Sequence, residues 1–177
     1  MHHITLGVGY AKLLSDDMDP DNQSGGMDFT DSGAGVLAYR ISVARNFDAV
    51  FESRGTISAS EVSLVSATET INQDWTFTTS WFGPGLRLHA SEGNLRPYAQ
   101  LNFYYAQETF SVDSGSTTTS TSEGGVGFGV FSGVDIGVSR LISIPVEIAY
   151  LYADPAHNIS SFGGTAGVTF NFGKAIE

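Results

Sequence analysis

The acidic residues between the first two hydrophobic segments are the side chains best spaced to bind a metal ion. Four aspartates occupy positions 1, 3, 5 and 12 of a calcium-loop template: Asp17, Asp19, Asp21 and Asp28. The match is incomplete, because position 6 is Asn22 where the template requires Gly, and position 12 lacks the bidentate Glu. A solvated acidic loop explains these residues better, so the sequence predicts no metal site and no cofactor.

A second set of residues that could perform catalysis is His157 followed closely by Ser160 and Ser161. A serine nucleophile needs a base within hydrogen-bond reach and a third group that orients the base. The local sequence supplies no third group. We therefore expect no catalytic residues here and no enzymatic activity.

Charged side chains also occur inside the hydrophobic segments. In segments where apolar and polar residues alternate, three arginines and three carboxylates occupy polar positions: Arg40, Arg54, Arg87, Glu52, Asp135 and Glu147. Buried charges are tolerated only when they are paired and hydrogen-bonded, and equal numbers of each sign suggest a neutral internal network. The expected role of this network is structural, as a plug that fills an enclosed interior. A proton or ion path, or a switchable gate, is the functional alternative.

Residues 125–139 show what kind of element holds those charges. One parity carries apolar side chains and the other carries glycine and aspartate: Val126, Phe128, Val130, Val134, Ile136 and Val138 against Gly125, Gly127, Gly129, Gly133, Asp135 and Gly137. Successive side chains of a strand point to opposite faces. The pattern predicts a strand whose apolar row meets lipid and whose other row faces a narrow lumen with little room for larger groups.

Eight segments alternate in this way, at 3–14, 34–45, 48–59, 75–90, 96–111, 125–139, 142–153 and 162–173. Connections 15–33, 60–74 and 112–124 are long, whereas 46–47, 91–95 and 140–141 are short. The Ser/Thr-rich tract 114–122 is expected to be a mobile loop tip. The sequence predicts an all-β fold, an eight-stranded antiparallel up-and-down transmembrane β-barrel with long loops at one end and short turns and both termini at the other.

Length and composition agree with a single domain, residues 1–177. No apolar run approaches the roughly 20 residues of a transmembrane helix, so any membrane would be crossed by strands. A soluble barrel of lipocalin type and a β-sandwich are the rival folds. A soluble exterior is normally rich in Lys and Glu, but the predicted strands contain one lysine, Lys12. With 8 basic against 19 acidic residues, the chain is not expected to bind nucleic acid.

The last segment alternates aromatic and small or polar residues through Gly167-Val168-Thr169-Phe170-Asn171-Phe172. Together with the eight segments, this ending makes the whole chain resemble the small eight-stranded outer-membrane proteins of Gram-negative bacteria. That group includes the membrane domain of outer membrane protein A, the OmpX and Ail type, and opacity-type surface proteins. Such chains usually end at the terminal Phe, so residues 173–177 are expected to be a vector scar or the start of a linker.

The resemblance implies a monomer in the bacterial outer membrane, with long loops outward and termini in the periplasm. Its expected partners are membrane lipid and lipopolysaccharide, the insertion machinery that would bind the C-terminal strand, and a host or surface ligand at the long loops. The function expected on this basis is a structural or surface role in adhesion or host interaction, with a plugged polar lumen. Transport of small or apolar molecules and lipid A modification by a rim-located enzyme are the alternatives.

Overall fold

The protein is described by a computed structural model that covers residues 1–14, 31–65, 70–90, 93–115, 117–154 and 159–173. For residues 60–65 and 70–72 it describes the backbone alone. Eight strands account for most of these residues: β1 His2–Leu13, β2 Asp31–Ala44, β3 Phe47–Val65, β4 Thr70–His89, β5 Leu95–Asp113, β6 Thr118–Gly137, β7 Ile142–Asp154 and β8 Ser160–Phe172. Within the described residues, no helix is long and apolar enough to cross a membrane.

Each strand pairs antiparallel with its neighbours in sequence, and β1 pairs with β8 to close the barrel. Closure removes the unpaired edges that an open sheet would expose. The predicted all-β, eight-stranded antiparallel barrel is therefore confirmed.

Burial alternates with a period of two, and the apolar side chains are the exposed ones. In β7, Glu147 and Leu151 are buried, whereas Val146, Ile148 and Tyr150 are exposed. The same outward apolar row continues around the barrel: Leu6, Leu37, Phe51, Phe82, Leu86, Phe103, Val130, Val168 and Phe170. A soluble barrel would place these rows inside, so the observed parity excludes the lipocalin-type alternative.

Strands β3, β4, β5 and β6 have 19, 20, 19 and 20 residues, whereas β1, β2, β7 and β8 have 12 to 14. Because about 9 to 11 tilted residues suffice to cross a bilayer, the four long strands extend well beyond the height of the other four. They extend at the end that carries the connections after β1, β3, β5 and β7, which we call the long-loop end. The opposite end is the short-turn end.

The predicted boundaries were wrong where these long strands continue into segments expected to be loops. Residues 118–122 of the Ser/Thr-rich tract belong to β6 and pair with residues 109–113 of β5. Hydroxyl groups support that pairing, since Thr109 and Ser111 contact Ser122 and Ser120 at 2.9 Å. Threonine favours strands, and the low complexity of the tract concealed that preference. At the short-turn end, Phe47 begins β3 rather than lying in the turn.

Candidate functional site

The lumen contains the six charged side chains that the sequence placed inside, and each of them is buried. Nearest the short-turn end, Arg40 on β2 donates through Nη1 to Asp135 Oδ2 on β6 at 3.2 Å. Arg87 on β4 donates to the same oxygen at 3.4 Å. One carboxylate thus joins two guanidinium groups that come from non-adjacent strands.

Gln100 on β5 links this group to the middle of the barrel. Its Oε1 accepts a hydrogen bond from Arg87 Nε at 2.7 Å, and its Nε2 donates to Glu52 Oε2 at 3.0 Å. Glu52 also accepts from Arg54 Nε at 3.0 Å and from the Tyr104 hydroxyl at 2.7 Å. The neutral amide therefore carries the connection between two charged clusters.

Glu147 on β7 completes the chain of contacts across the lumen. It accepts hydrogen bonds from Arg54 Nη2, from the Tyr98 hydroxyl at 2.8 Å and from Thr165 Oγ1 at 2.9 Å. Arg87 also lies over the Tyr98 ring, 3.6 Å from its centroid. We call the connected side chains from Arg40 to Glu147 the polar network.

The expected balance of three positive and three negative groups was wrong, because two more carboxylates face inward. Asp48 is 2% exposed and lies 3.9 Å from Arg40 Nη1 and 3.4 Å from His89 Nε2. Glu108 is buried further toward the long-loop end. Both residues share the parity of inward positions already identified on β3 and β5, so the alternation pattern contained the signal for them. His89, at the end of β4, lines the short-turn mouth of the barrel.

The long-loop half of the lumen contains a large hydrophobic cluster, so the interior is not polar throughout as predicted. Buried hydrophobic side chains form one cluster there: Leu13, Phe77, Trp81, Tyr104, Ala106, Phe131, Ala149, Leu151, Ala153 and Ile159, with Trp75 and Phe110 packed against it. We call this group the apolar plug. It meets the polar network where Arg54 lies 4.8 Å from the centre of the Phe131 ring.

Glycines on the inward rows make room for these large rings instead of leaving the lumen bare. A Cβ placed on Gly129 would lie 2.7 Å from both Leu151 Cδ2 and Phe131 Cζ. At Gly133, a Cβ would lie 2.7 Å from the Tyr98 ring and hydroxyl. The sequence showed the glycines, but only the cross-lumen contacts show that aromatic side chains occupy the space.

The other candidate site residues are not brought together. Ser160 Oγ donates to the Leu14 carbonyl at 3.4 Å, Ser161 is buried, and His157 lies outside the described residues. The predicted calcium-loop positions, Asp17 to Asp28, also lie outside them. Within the described part of the chain, no group of three or more His, Asp or Glu residues is placed to hold a metal ion.

No protein-family model matches the chain, and no curated protein is similar to it in sequence. Solved structures are similar in fold. Neisserial surface protein A has a TM-score of 0.65 at 16% identity, with 97% of both chains covered. OprG from Pseudomonas aeruginosa has a TM-score of 0.58 at 13% identity, with 97% of this chain and 96% of that chain covered. Ail of Yersinia pestis, in complex with the heparin analogue sucrose octasulfate, has a TM-score of 0.56 at 14% identity, with 97% and 99% covered. The chain has the fold of the small outer-membrane β-barrels.

TM-scores of 0.56 to 0.65 establish the barrel fold, whereas identities of 13 to 16% show no more than the fold. Function must therefore be inferred from the residues of this chain. In this closed barrel, the inward side chains of all eight strands surround one narrow lumen. The interior is therefore the place where this sequence brings most of its buried polar and aromatic groups together.

Proposed function

We propose that this protein is a non-conducting barrel of the bacterial outer membrane that serves a structural or surface role. The observation that carries the proposal is the filling of the lumen by two successive barriers, the polar network and the apolar plug. Ion pairs such as Arg54–Glu147 close the middle of the barrel, and rings such as Trp81 and Phe131 close the section toward the long-loop end. An eight-stranded barrel is narrow enough for side chains to fill it.

Planar-bilayer recording of the purified protein tests the closed lumen. We expect no steady ohmic conductance from the wild type, because water must pass both barriers. The double variant Trp81→Ala/Glu52→Ala thins both barriers and should conduct, whereas either single variant leaves one barrier intact. Phe103→Ala, on the exposed outer row, serves as the matched control. A stable open channel in the wild type would refute the proposal.

The proposed orientation places the long-loop end outside the cell and is supported by the distribution of charge. Acidic residues at or near that end include Asp31, Asp74, Asp113, Glu123 and Asp154. Among the Lys and Arg residues of the described part of the chain, Lys12 alone lies at the long-loop end of its strand. Arg45, Arg96 and Arg140 lie at the short-turn end.

Single cysteines can test this orientation cleanly, because the natural chain has none. Ser114 lies at the exposed tip between β5 and β6, and Asn94 lies in the exposed turn before β5. A membrane-impermeant maleimide added to intact cells should label Ser114→Cys. Asn94→Cys should react only after the outer membrane is permeabilised. The reverse pattern would invert the topology and remove the basis for a surface role.

For the surface role, we infer a ligand with basic groups, or one bridged to the protein by divalent cations. The structural neighbours include a surface protein and an attachment invasion protein, which supports adhesion as the general class. The heparin analogue bound to Ail is polyanionic, and the acidic long-loop end of this chain would repel such a ligand. Cells expressing the protein should therefore bind lysozyme-like basic proteins more strongly than heparin beads at low salt.

Membrane lipid, lipopolysaccharide and the insertion machinery are the partners that we propose for the barrel wall. The continuous exposed apolar rows support contact with lipid. Exposed Phe170 and Phe172 on β8 support recognition of the last strand during insertion. The protein should need detergent or lipid to stay monodisperse, and a stable monomer in plain buffer would contradict membrane residence.

Transport of a small apolar compound is the second candidate function, and the apolar plug is the observation that favours it. Aromatic side chains line the long-loop half of the lumen, and the pairing of β7 with β8 is interrupted at Ile144 and Pro145. An apolar compound could enter among the rings and leave through the wall. Liposome uptake of such a compound, reduced by Phe77→Ala but insensitive to the outer-row variant Phe103→Ala, would favour transport over the closed barrel.

A further inference from the structure

The short-turn mouth of the barrel contains a cavity of about 180 Å³ that is rich in cationic side chains. Arg40 lies at its base, and Arg45 from the β2–β3 turn, Arg96 from β5 and His89 from the end of β4 line its sides. The cavity lies on the opposite side of the polar network from the apolar plug. It shares Arg40 and Asp135 with the polar network, whose short-turn side forms its floor.

His89 adds a positive charge to this cavity. Its Nδ1 lies 3.0 Å from the Ala90 carbonyl oxygen, and its Nε2 lies 3.4 Å from Asp48 Oδ1. Both neighbours are acceptors, so each ring nitrogen is best matched by a proton, and the ring is then an imidazolium. The cavity is lined by three arginines and two histidines, His3 and His89, against two carboxylates, Asp48 and Asp135. The arginines and carboxylates alone give a net charge of +1, and a protonated His89 would add a further positive charge.

Two of these cations have donor groups that the described protein does not use. Asp135 is the register partner of Arg96 across β5 and β6, but its Oδ2 contacts Arg40 and Arg87 instead. Among the described residues, Arg96 has no hydrogen-bonded or ion-paired acceptor. Arg40 Nε is buried without a hydrogen-bond partner. Buried polar atoms normally have partners, so an acceptor would satisfy Arg40 Nε, whereas Asp48 Oδ1 and Asp135 Oδ1, also without a hydrogen-bond partner, would need a donor such as a ligand hydroxyl.

We propose that the cavity binds a phosphate dianion, either inorganic phosphate or the terminal group of a small soluble phosphate monoester. A phosphate carries a charge of about −1.5 to −2 at neutral pH, opposite in sign to the net charge of the cavity. Guanidinium groups on different elements can contact separate oxygens of a tetrahedral anion, and their planar donor arrays suit phosphate. This proposal concerns the cavity alone and does not rest on the closed lumen or on the surface role.

Titration of the full-length protein in zwitterionic detergent at low salt tests the site, with inorganic phosphate as the first probe and glycerol phosphate as the second. Binding is measured by calorimetry and by NMR shifts of the Arg side-chain N–H groups. We expect saturable binding that Arg96→Gln weakens about tenfold or more, since a charge-assisted hydrogen bond is lost. Arg45→Gln should weaken it in the same direction.

Arg140→Gln is the matched control, because Arg140 lies at the same end but does not line this cavity. It should leave the affinity within about twofold, as expected for a screened charge at a distance. Equal losses for Arg96→Gln and Arg140→Gln would reduce the effect to general electrostatics and overturn the proposal. Absence of saturable binding would also overturn it.

A lipid phosphate is the other source of the same chemistry, and nanodiscs distinguish it from a soluble ligand. The Arg96 resonance should respond to added phosphate equally in phosphatidylcholine discs with and without phosphatidic acid. If phosphatidic acid alone moves that resonance and abolishes the response to phosphate, the site is a lipid headgroup site and the soluble ligand is wrong.

Discussion

The two halves of the lumen are both filled, but different forces hold them. In the polar network, residues such as Arg54, Glu52 and Glu147 exchange several hydrogen bonds each and depend on charge pairing. In the apolar plug, Phe77, Trp81 and their neighbours are held by packing and by exclusion from water. In the closed barrel that we propose, the two barriers should therefore fail in different ways. A lost partner leaves a charge without compensation in one half, whereas a lost ring leaves a cavity in the other.

The largest effect is expected from Glu147→Ala in the polar network. This change leaves Arg54 with Glu52 as its remaining carboxylate and removes the acceptor for the Tyr98 and Thr165 hydroxyls. We expect a loss of about 3–5 kcal/mol in the free energy of unfolding, as for other broken buried pairs. Urea unfolding in lipid vesicles measures it.

The control for that prediction is Glu147→Gln, which keeps the shape and one acceptor oxygen, replaces the other oxygen with an amide donor and removes the charge. It should cost less than Glu147→Ala. A loss below about 1 kcal/mol for Glu147→Ala would mean that water solvates the pair, since exposed pairs contribute about that much or less. The polar network would then be a wet filling rather than a dry barrier.

A somewhat smaller effect is expected from Phe77→Ala in the apolar plug. Phe77 is 3% exposed and packs inside the long-loop half, so truncation creates a cavity. We expect about 3 kcal/mol, at the low end for a buried aromatic residue, because the barrel mouth can relax around the gap. The loss should be insensitive to salt, whereas that of Glu147→Ala should change with salt if the network is reached by ions. A loss for Glu147→Ala that falls with added salt would mean that ions reach the polar network, which would contradict a dry barrier.

Glycine replacements compare the halves at finer scale. A Cβ on Gly85 would lie 2.6 Å from the Leu101 carbonyl oxygen and would overlap the Asn102 amide of the polar network. A Cβ on Gly129 would meet the ends of Phe131 and Leu151 side chains, which can move aside. We expect Gly129→Ala to cost about 1–3 kcal/mol and Gly85→Ala to cost more, because backbone must shift there.

The matched control for both glycine variants is Gly35→Ala, where an added Cβ meets no heavy atom within 4 Å. Its unfolding free energy should stay within about 0.5 kcal/mol of the wild type, as for other unconstrained surface positions. If Gly129→Ala proved more costly than Gly85→Ala, the apolar plug would be the more rigid half.

The sequence predicted much of the fold because the alternation along a single strand decides whether each side chain points inward or outward. Alternation along β7 places Glu147 inside and Ile148 outside without knowledge of any other strand. The contacts across the lumen could not be predicted in the same way. Arg54–Glu147 joins β3 to β7 and Arg40–Asp135 joins β2 to β6, so these pairs depend on the relative height of strands that are not neighbours. That height follows from the registers of all the pairings between them.

The apolar plug was missed for a related reason. Phe131 shares its parity with Gly129 and Gly133, and the glycines dominated the interpretation of that row. Phe77 and Trp81 share the inward parity of Arg87, the residue that the sequence analysis placed inside on this strand. The plug exists only because the barrel brings rings from several strands to one height.

The smallest effect, and the one of opposite sign, is expected from Ser143→Ala. Ser143 is fully buried at the short-turn side of β7, and its Oγ has no hydrogen-bond partner among the described residues. A buried hydroxyl without a partner is destabilising, so its removal should stabilise the protein by up to about 1 kcal/mol.

Ser58→Ala is the control, because Ser58 Oγ contacts Ser32 Oγ at 2.7 Å and donates to the Asp31 carbonyl at 2.6 Å. That variant should lose about 1 kcal/mol in the same urea assay. If Ser143→Ala were as destabilising as Ser58→Ala, a water molecule would have to pair with the Ser143 hydroxyl. The polar network would then extend through solvent to the β7 side of the mouth, and its boundary with the short-turn cavity would be wet.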